Sequence, residues 1–323
     1  GPMFEHNMRN AMLTLMADEE HPGTIADIPR IFTDTEFQKY KIAKVRDPVV
    51  RLFWEKEMAK TSDFHKSEML GYLISKVGRF VENAMMRNIV GQPKSGFNFR
   101  RVMDEGKVLL INLSKGRTGE INAKLLGLIM VSKIQMAAMS RADMPEDRRK
   151  DFYLYVDEFQ NFITDAFSSI LSEARKYKLN LVIAHQYLGQ LEQQAGAQGA
   201  GSKDLRDAVF GNAGTFITFR TGAEDAEVLA KEFAPTFNEF DLVNIDRFNA
   251  YVKLMVQGTA SKPFNMQTLP LPKDGSEELA SAIRQLSRLK YGRPRAEVET
   301  ELLEAGQVAE NMSAGVAGVE RGL

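Results

Sequence analysis

The stretch FYLYVDEF, residues 152–159, decides the predicted fold, because five apolar or aromatic residues run directly into Asp157 and Glu158. A short continuous apolar run is typical of a strand that is covered on both faces of a parallel sheet. Open α/β sheets bind ligands at the carboxyl ends of their strands. A carboxylate such as Asp157 is suited to hold Mg²⁺ with its waters there, and one such as Glu158 to polarise a water molecule. The same pattern also fits a strand that merely ends in acidic turn residues.

Similar apolar runs recur along the C-terminal two-thirds of the chain and alternate with helical stretches. The runs occupy residues 107–112, 179–184, 214–219 and 250–255, and the helical stretches lie near 121–140, 164–177, 203–210 and 223–233. Alternation of this kind indicates crossover connections between parallel strands. We therefore predict an α/β fold with a doubly wound, mostly parallel sheet.

Polar residues follow the run that ends at Ala184, because His185 and Gln186 come next. Two neighbouring strands then end in polar groups on one edge of the sheet. The amide of Gln186 both donates and accepts hydrogen bonds, which suits it to sensing a terminal phosphate. The alternative for Gln186 is a cap on a helix or loop, and His185 is predicted to be a structural neighbour.

Three regions are predicted along the chain. Residues 1–92 have helix-like apolar spacing and form a small all-α domain, in which Asp34 and Asp47 begin helices. Residues 93–272 form the α/β core, and residues 273–323 form a helical, partly disordered tail.

Composition is that of an ordinary globular chain, with 44% hydrophobic residues, 26% charged residues and a net charge of -1. This balance gives no global argument for nucleic acid, so a DNA contact has to rest on local patches. The absence of cysteine excludes disulfides and thiolate metal sites and fits a reducing cytoplasm. No apolar run is expected to approach the roughly 20 residues that span a bilayer.

The segment 153–190, YLYVDEFQNFITDAFSSILSEARKYKLNLVIAHQYLGQ, resembles the type IV secretion and conjugation ATPases, the TraG/TraD-like coupling proteins of the HerA/FtsK superfamily. The resemblance extends over about residues 5–295. It implies a RecA-like P-loop NTPase core preceded by a small all-α domain, with ATP and Mg²⁺ as cofactors. It also implies a homo-oligomeric motor, expected to be a hexamer, that moves DNA or nucleoprotein alongside other secretion-system components.

The resemblance also implies roles for individual residues. Asp157 would position Mg²⁺, Glu158 would activate water, and Gln186 would sense the γ-phosphate. Arg175, which lies 11 residues before Gln186, would reach the nucleotide of a neighbouring subunit. Arg220 is a second candidate for a nucleotide or interface contact, while the alternative for Arg175 is an ordinary surface arginine.

The chain departs from the family in one respect, because no G-x-x-x-x-G-K-[ST] phosphate-binding loop occurs in it. We expect this loop, the Walker A loop, to lie upstream in a longer protein; a degenerate, non-hydrolysing relative is the other explanation. The full-length protein is expected to be an ATPase and this fragment to be inactive. We expect a cytoplasmic location, at the inner face of the membrane if absent upstream segments anchor the protein.

Lys115 and Arg117 are the first candidates for DNA contact, because they follow the predicted strand 107–112 in a loop that can face a central pore. A solvated surface is the alternative reading of both. Two other functions stay open for the whole chain. The first alternative is a non-catalytic docking module of a secretion apparatus. The second is a HerA/FtsK-type DNA-pumping ATPase with another cargo.

Overall fold

The structure is a computed structural model that describes residues 2–162, 170–193, 201–272 and 274–304. Backbone contacts divide the chain into two compact units. The helical unit comprises Gly1–Gly96 with Glu277–Leu323, and the α/β unit comprises Phe97–Ser276. The domain boundaries expected after residues 92 and 272 remain predictions.

The first part of the helical unit is a succession of helices. They are α1 (Pro2–Met16), α2 (Ile28–Thr33), α3 (Thr35–Lys44), α4 (Pro48–Leu52), α5 (Asp63–Val81) and α6 (Ala84–Val90), with a π-helical turn at Phe53–Met58. The side chain of Asp34 caps α3 by accepting from the amides of Glu36 and Phe37, and Asp47 caps α4 by accepting from that of Val49. Both predicted helix starts are confirmed.

The α/β unit contains the remaining elements up to residue 276. Its helices are α7 (Phe99–Glu105), α8 (Lys115–Thr118), α9 (Glu120–Met139), α10 (Gly189–Gln193), α11 (Gly201–Asn212), α12 (Ala223–Phe233) and α13 (Glu239–Asn244). Its strands are β1 (Phe152–Val156), β2 (Leu179–Ile183), β3 (Phe216–Thr218), β4 (Asn249–Lys253), β5 (Met255–Val256), β6 (Thr259–Ala260) and β7 (Phe264–Gln267). Short 3-10 turns occupy Ser140–Asp143, Phe159–Phe162 and Ala174–Tyr177.

The chain returns to the helical unit with α14 (Glu277–Tyr291) and a helix over residues 295–304. Val298 on the latter is buried, and Glu299 accepts a hydrogen bond of 3.0 Å from the side-chain amide of Asn88. The expected disordered tail beyond residue 304 lies outside the described residues, as do residues 164–169 of the predicted helix at 164–177.

A buried ion pair stands out in the helical unit. Lys41 Nζ lies 2.7 Å from Asp18 Oδ2, and both side chains are almost fully buried. Burial by itself would raise the pKa of Asp18, but the hydrogen bond and charge of Lys41 and the amide of His21 outweigh it and lower that pKa. Asp18 is therefore held as a carboxylate inside the unit.

The predicted parallel pairing is confirmed for β1 and β2, which pair from Phe152 with Leu179 to Val156 with Ile183. The inward-facing residues of both strands pack in one core with α9, which contributes Val131, Ile134 and Ala138. The opposite face of this two-stranded sheet is open. Tyr153, Tyr155 and Val182 on that face are 57%, 72% and 43% exposed.

The prediction of a doubly wound, mostly parallel sheet is confirmed only for the pair β1–β2. Residues 107–112 form no strand, and Val108 and Leu110 are each 86% exposed, because no neighbouring strand among the described residues pairs with them. The later runs do form strands, but β3, β4 and β7 pair antiparallel in a separate sheet. Apolar composition predicts a strand and leaves its direction and partner undetermined.

The helix α9 is the core helix of the α/β unit. Residues 120–143 are long and apolar enough to cross a membrane by length and composition alone, with a mean hydropathy of 1.2. The expectation that no segment reaches this length is therefore wrong by this criterion. The contacts of Val131, Ile134 and Ala138 with the core explain why the helix is so apolar.

Arg141, just after α9, forms hydrogen bonds with the segments that precede both parallel strands. It is fully buried, and its guanidinium donates to the carbonyls of Lys150 at 2.6 Å and Tyr177 at 2.9 Å. Its Nε donates to Asp104 at 3.1 Å. One side chain thus fixes the segments that lead into β1 and β2, and with them the register of the two strands.

Candidate functional site

The carboxyl ends of β1 and β2 are joined by backbone hydrogen bonds that continue past the strands. The amide of Ala184 donates to the carbonyl of Val156 at 3.0 Å, and the amide of Phe159 donates to the carbonyl of Ala184 at 3.1 Å. These bonds hold the acidic turn after β1 against the polar residues after β2. The side chains predicted to share one sheet edge therefore meet.

Glu158 lies at the centre of this site. The Nε2 atoms of Gln186 and Gln160 donate to its two carboxylate oxygens, Oε1 and Oε2, each at 2.5 Å. Its φ of 50° is in the left-handed region, which is uncommon for a residue with a side chain and costs of order 1 kcal/mol or more. Asn161 offsets this, since its backbone amide and its side chain both donate to the Glu158 carbonyl, at 3.0 and 3.1 Å.

Gln160 was missed by sequence reasoning. It is a single polar residue in a turn, where neither apolar periodicity nor a known motif singles it out. Its side chain is only 4% exposed. A signal did exist, because a polar residue two positions after an acidic pair is close enough to fold back onto it.

Asp157 is exposed at the tip of the turn, where its Oδ1 accepts from the amide of Glu158 at 3.0 Å. It lines the same opening as Glu158. Both of these residues carry carboxylate oxygens, the ligand class that Mg²⁺ prefers. The residues therefore fit a hydrated magnesium ion.

His185 packs beside the site, against an aromatic ring. Its ring meets that of Phe159 edge-on, with centroids 5.5 Å apart. Burial lowers the pKa of His185, and the nearby carboxylates of Asp225 and Glu158 only partly oppose that effect. A neutral imidazole agrees with the predicted structural role.

A cavity of about 810 Å³ opens at this end of the sheet. Its walls include Lys115, Asp157, Glu158, Gln160 and Gln186, together with apolar residues of α9 and β1. Small-molecule sites commonly measure about 300–1,000 Å³ and combine apolar walls with a few convergent polar groups. A ligand of nucleotide size therefore fits beside the acidic pair.

The basic candidates are distributed unequally around this cavity. Lys115 lines it and forms an ion pair of 2.9 Å with Glu120, a hydrogen bond that lowers the pKa of that glutamate. Arg117, Arg175 and Arg220 are exposed, and the described lining of the cavity does not include them. Their predicted contacts with DNA, a neighbouring subunit or nucleotide remain predictions.

The fold of this chain, in which an acidic pair and a glutamine lie at adjoining strand ends of the α/β unit, is similar to that of solved coupling proteins. The chain is similar to the bacterial conjugative coupling protein TrwBdeltaN70 in its unbound form, with a TM-score of 0.52, 13% identity and 84% of this chain covered. It is similar to plasmid coupling protein TrwB in complex with ADP and Mg²⁺, with a TM-score of 0.55, 13% identity and 83% covered. The complex of TrwB with the non-hydrolysable GTP analogue GDPNP gives a TM-score of 0.54, 12% identity and 85% covered.

Residues 151–238 match the family described as the TraM recognition site of TraD and TraG. The chain is thus TraG/TraD-like, and the resemblance seen in its sequence is confirmed. It spans 64 to 67% of the length of the three TrwB structures. No curated protein sequence matches it.

Proposed function

We propose that this chain is part of a ring-forming, ATP-hydrolysing motor that translocates DNA or nucleoprotein in type IV secretion or conjugation. The observation that carries the proposal is the contact between Glu158 and Gln186 beside Asp157 at the carboxyl ends of two parallel strands. The complexes of TrwB with ADP and Mg²⁺ and with GDPNP support a nucleotide as the ligand of the cavity.

In this proposal each residue acts on a different part of the reaction. Asp157 would hold the waters of Mg²⁺, an ion that would supply positive charge to neutralise the phosphates. Glu158 accepts a proton from water as the oxygen attacks the γ-phosphorus, and Gln186 senses that phosphate. Arg175 is exposed, as a residue reaching a neighbouring subunit has to be, and Arg220 is the second candidate for such a contact.

The Walker A loop has to come from outside these 323 residues, because the sequence contains no G-x-x-x-x-G-K-[ST]. No further strand among the described residues pairs with β1 or β2, and this observation, together with the exposure of Val108 and Leu110, supports a core that further strands complete. This chain by itself is then inactive. A hexameric ring, DNA contacts through Lys115 and Arg117, and a cytoplasmic place at the inner face of the membrane complete the proposal.

The test compares Mg²⁺-dependent ATP hydrolysis by the protein that includes the phosphate loop, with and without single-stranded DNA, with that of its Glu158→Gln variant. We expect the variant to lose about 10²- to 10⁴-fold in kcat, the range for removal of a general base. Glu146→Gln, in an exposed turn away from the cavity, is the matched control and retains full activity. Unchanged hydrolysis in Glu158→Gln would remove the catalytic assignment.

A second function is favoured by the family match. The matched family is described as a TraM recognition site, so residues 151–238 are also a candidate docking surface for a TraM-type protein. A comparison of TraM binding with ATP hydrolysis distinguishes the two functions. If docking alone is correct, the chain binds a TraM-type protein in calorimetry while the protein with its phosphate loop hydrolyses no ATP.

A further inference from the structure

Gln160 is oriented by the carboxylate that it contacts. A glutamate carboxylate only accepts hydrogen bonds, so the NH₂ group of Gln160, and not its carbonyl, has to face Glu158 Oε2. The Oε1 atom of Gln160 consequently points to another side. That atom is buried and has no hydrogen-bond partner within the described residues.

The Oε1 atom of Gln160 is enclosed by the protein, so the polar contact of this side chain among the described residues is its hydrogen bond to Glu158. Gln160 is also one of the residues that line the cavity next to Glu158. Its amide therefore acts on the carboxylate at the wall of the proposed site.

We propose that Gln160 positions Glu158 for proton transfer from the attacking water; this inference rests on the proposed hydrolysis of ATP. One proton of the attacking water passes to Glu158, and the other stays on the oxygen. The new O–P bond forms as the bond from the γ-phosphorus to the bridging oxygen breaks, and the electron pair leaves with ADP.

A purely structural role for Gln160 is the rival explanation. The turn that carries Glu158 is already closed by Asn161, whose two donors hold the Glu158 carbonyl. The outer side of the carboxylate is held by Gln186. Gln160 is thus not needed to close the turn, and its distinctive contribution is the second hydrogen bond to the carboxylate.

The experiment measures kcat, KM and the pH profile of ATP hydrolysis for the protein with its phosphate loop. Gln160→Leu keeps the side-chain size and removes both polar atoms, and we expect kcat to fall about 10- to 100-fold with KM within about twofold. Gln160→Glu places a second carboxylate against Glu158, so the acidic limb of the kcat profile is expected to move to higher pH. Gln267→Leu, on the exposed strand β7, is the matched control and keeps wild-type values.

The outcomes separate the two proposals. If the wild type hydrolyses ATP and Glu158→Gln does not, but both Gln160 variants keep the wild-type kcat and pH profile, the role of Gln160 is overturned and the proposed function stands. If thermal unfolding shows that Gln160→Leu is misfolded, the isosteric Gln160→Glu decides through its pH profile. If the wild type is inactive and no different from Glu158→Gln, both proposals fall together.

Discussion

Replacing the buried Arg141 with methionine tests whether one side chain sets the alignment of β1 and β2. Methionine retains most of the apolar stem and removes the guanidinium. The carbonyls of Lys150 and Tyr177 then lose their donors at 2.6 and 2.9 Å. The carboxylate of Asp104 is less affected, because Arg100 still donates to it at 2.6 Å.

The expected loss follows from these contacts. Two partly buried carbonyls left without donors cost about 1–3 kcal/mol each, which is about 2–6 kcal/mol together, and the broken contact with Asp104 adds to this loss. With a urea dependence of about 2 kcal/mol per molar, the midpoint of unfolding falls by about 2 M. Far-ultraviolet circular dichroism follows this transition. Fluorescence of Trp54, the only tryptophan and a core residue of the helical unit, serves as an internal reference.

A matched surface arginine provides the control. Arg101 is 75% exposed and pairs with Glu105 one turn along α7, so Arg101→Met is expected to cost about 0.5 kcal/mol or less. If Arg141→Met destabilises the chain by no more than Arg101→Met does, Arg141 does not fix the strands and the reasoning is refuted.

Two further predictions concern the folded chain. The depressed pKa of Asp18 means that its pair with Lys41 stabilises the helical unit above the ordinary pKa of 3.8 and that this stability is lost as the pH falls below it. In Lys41→Met, burial without a partner raises that pKa, so thermal unfolding over a pH series should instead show stability falling as the pH rises; an unchanged profile would contradict the pairing. At Gly127 in α9, an added Cβ would lie 2.2 Å from the Phe162 ring, so Gly127→Ala is expected to cost about 1–3 kcal/mol in urea unfolding, and a gain in stability would show that Phe162 does not pack there.

The central part of the fold could be predicted from sequence because its signals are local and physical. A buried parallel strand has to be apolar, so β1 and β2 were visible in the sequence. Parallel strands end at the same edge of a sheet, so Glu158 and Gln186 were expected to meet, and their hydrogen bond shows that they do.

The parts that sequence reasoning missed depend on partners rather than on composition. Residues 107–112 are as apolar as a strand, but a strand forms only where a neighbour offers hydrogen bonds. The antiparallel sheet of β3, β4 and β7 has the same apolar runs as a parallel one. The position of Gln160 depends on how one turn folds back, which no periodic pattern encodes.

The open face and edges of the pair β1–β2 have a practical consequence for anyone who handles this chain alone. Among the described residues, no further strand pairs with β1 or β2, and a free edge flanked by exposed Tyr153, Tyr155 and Val182 is a template for another copy of the same strand. A dilute, freshly prepared sample and a solubilising fusion partner suit such a surface better than high concentration and long storage.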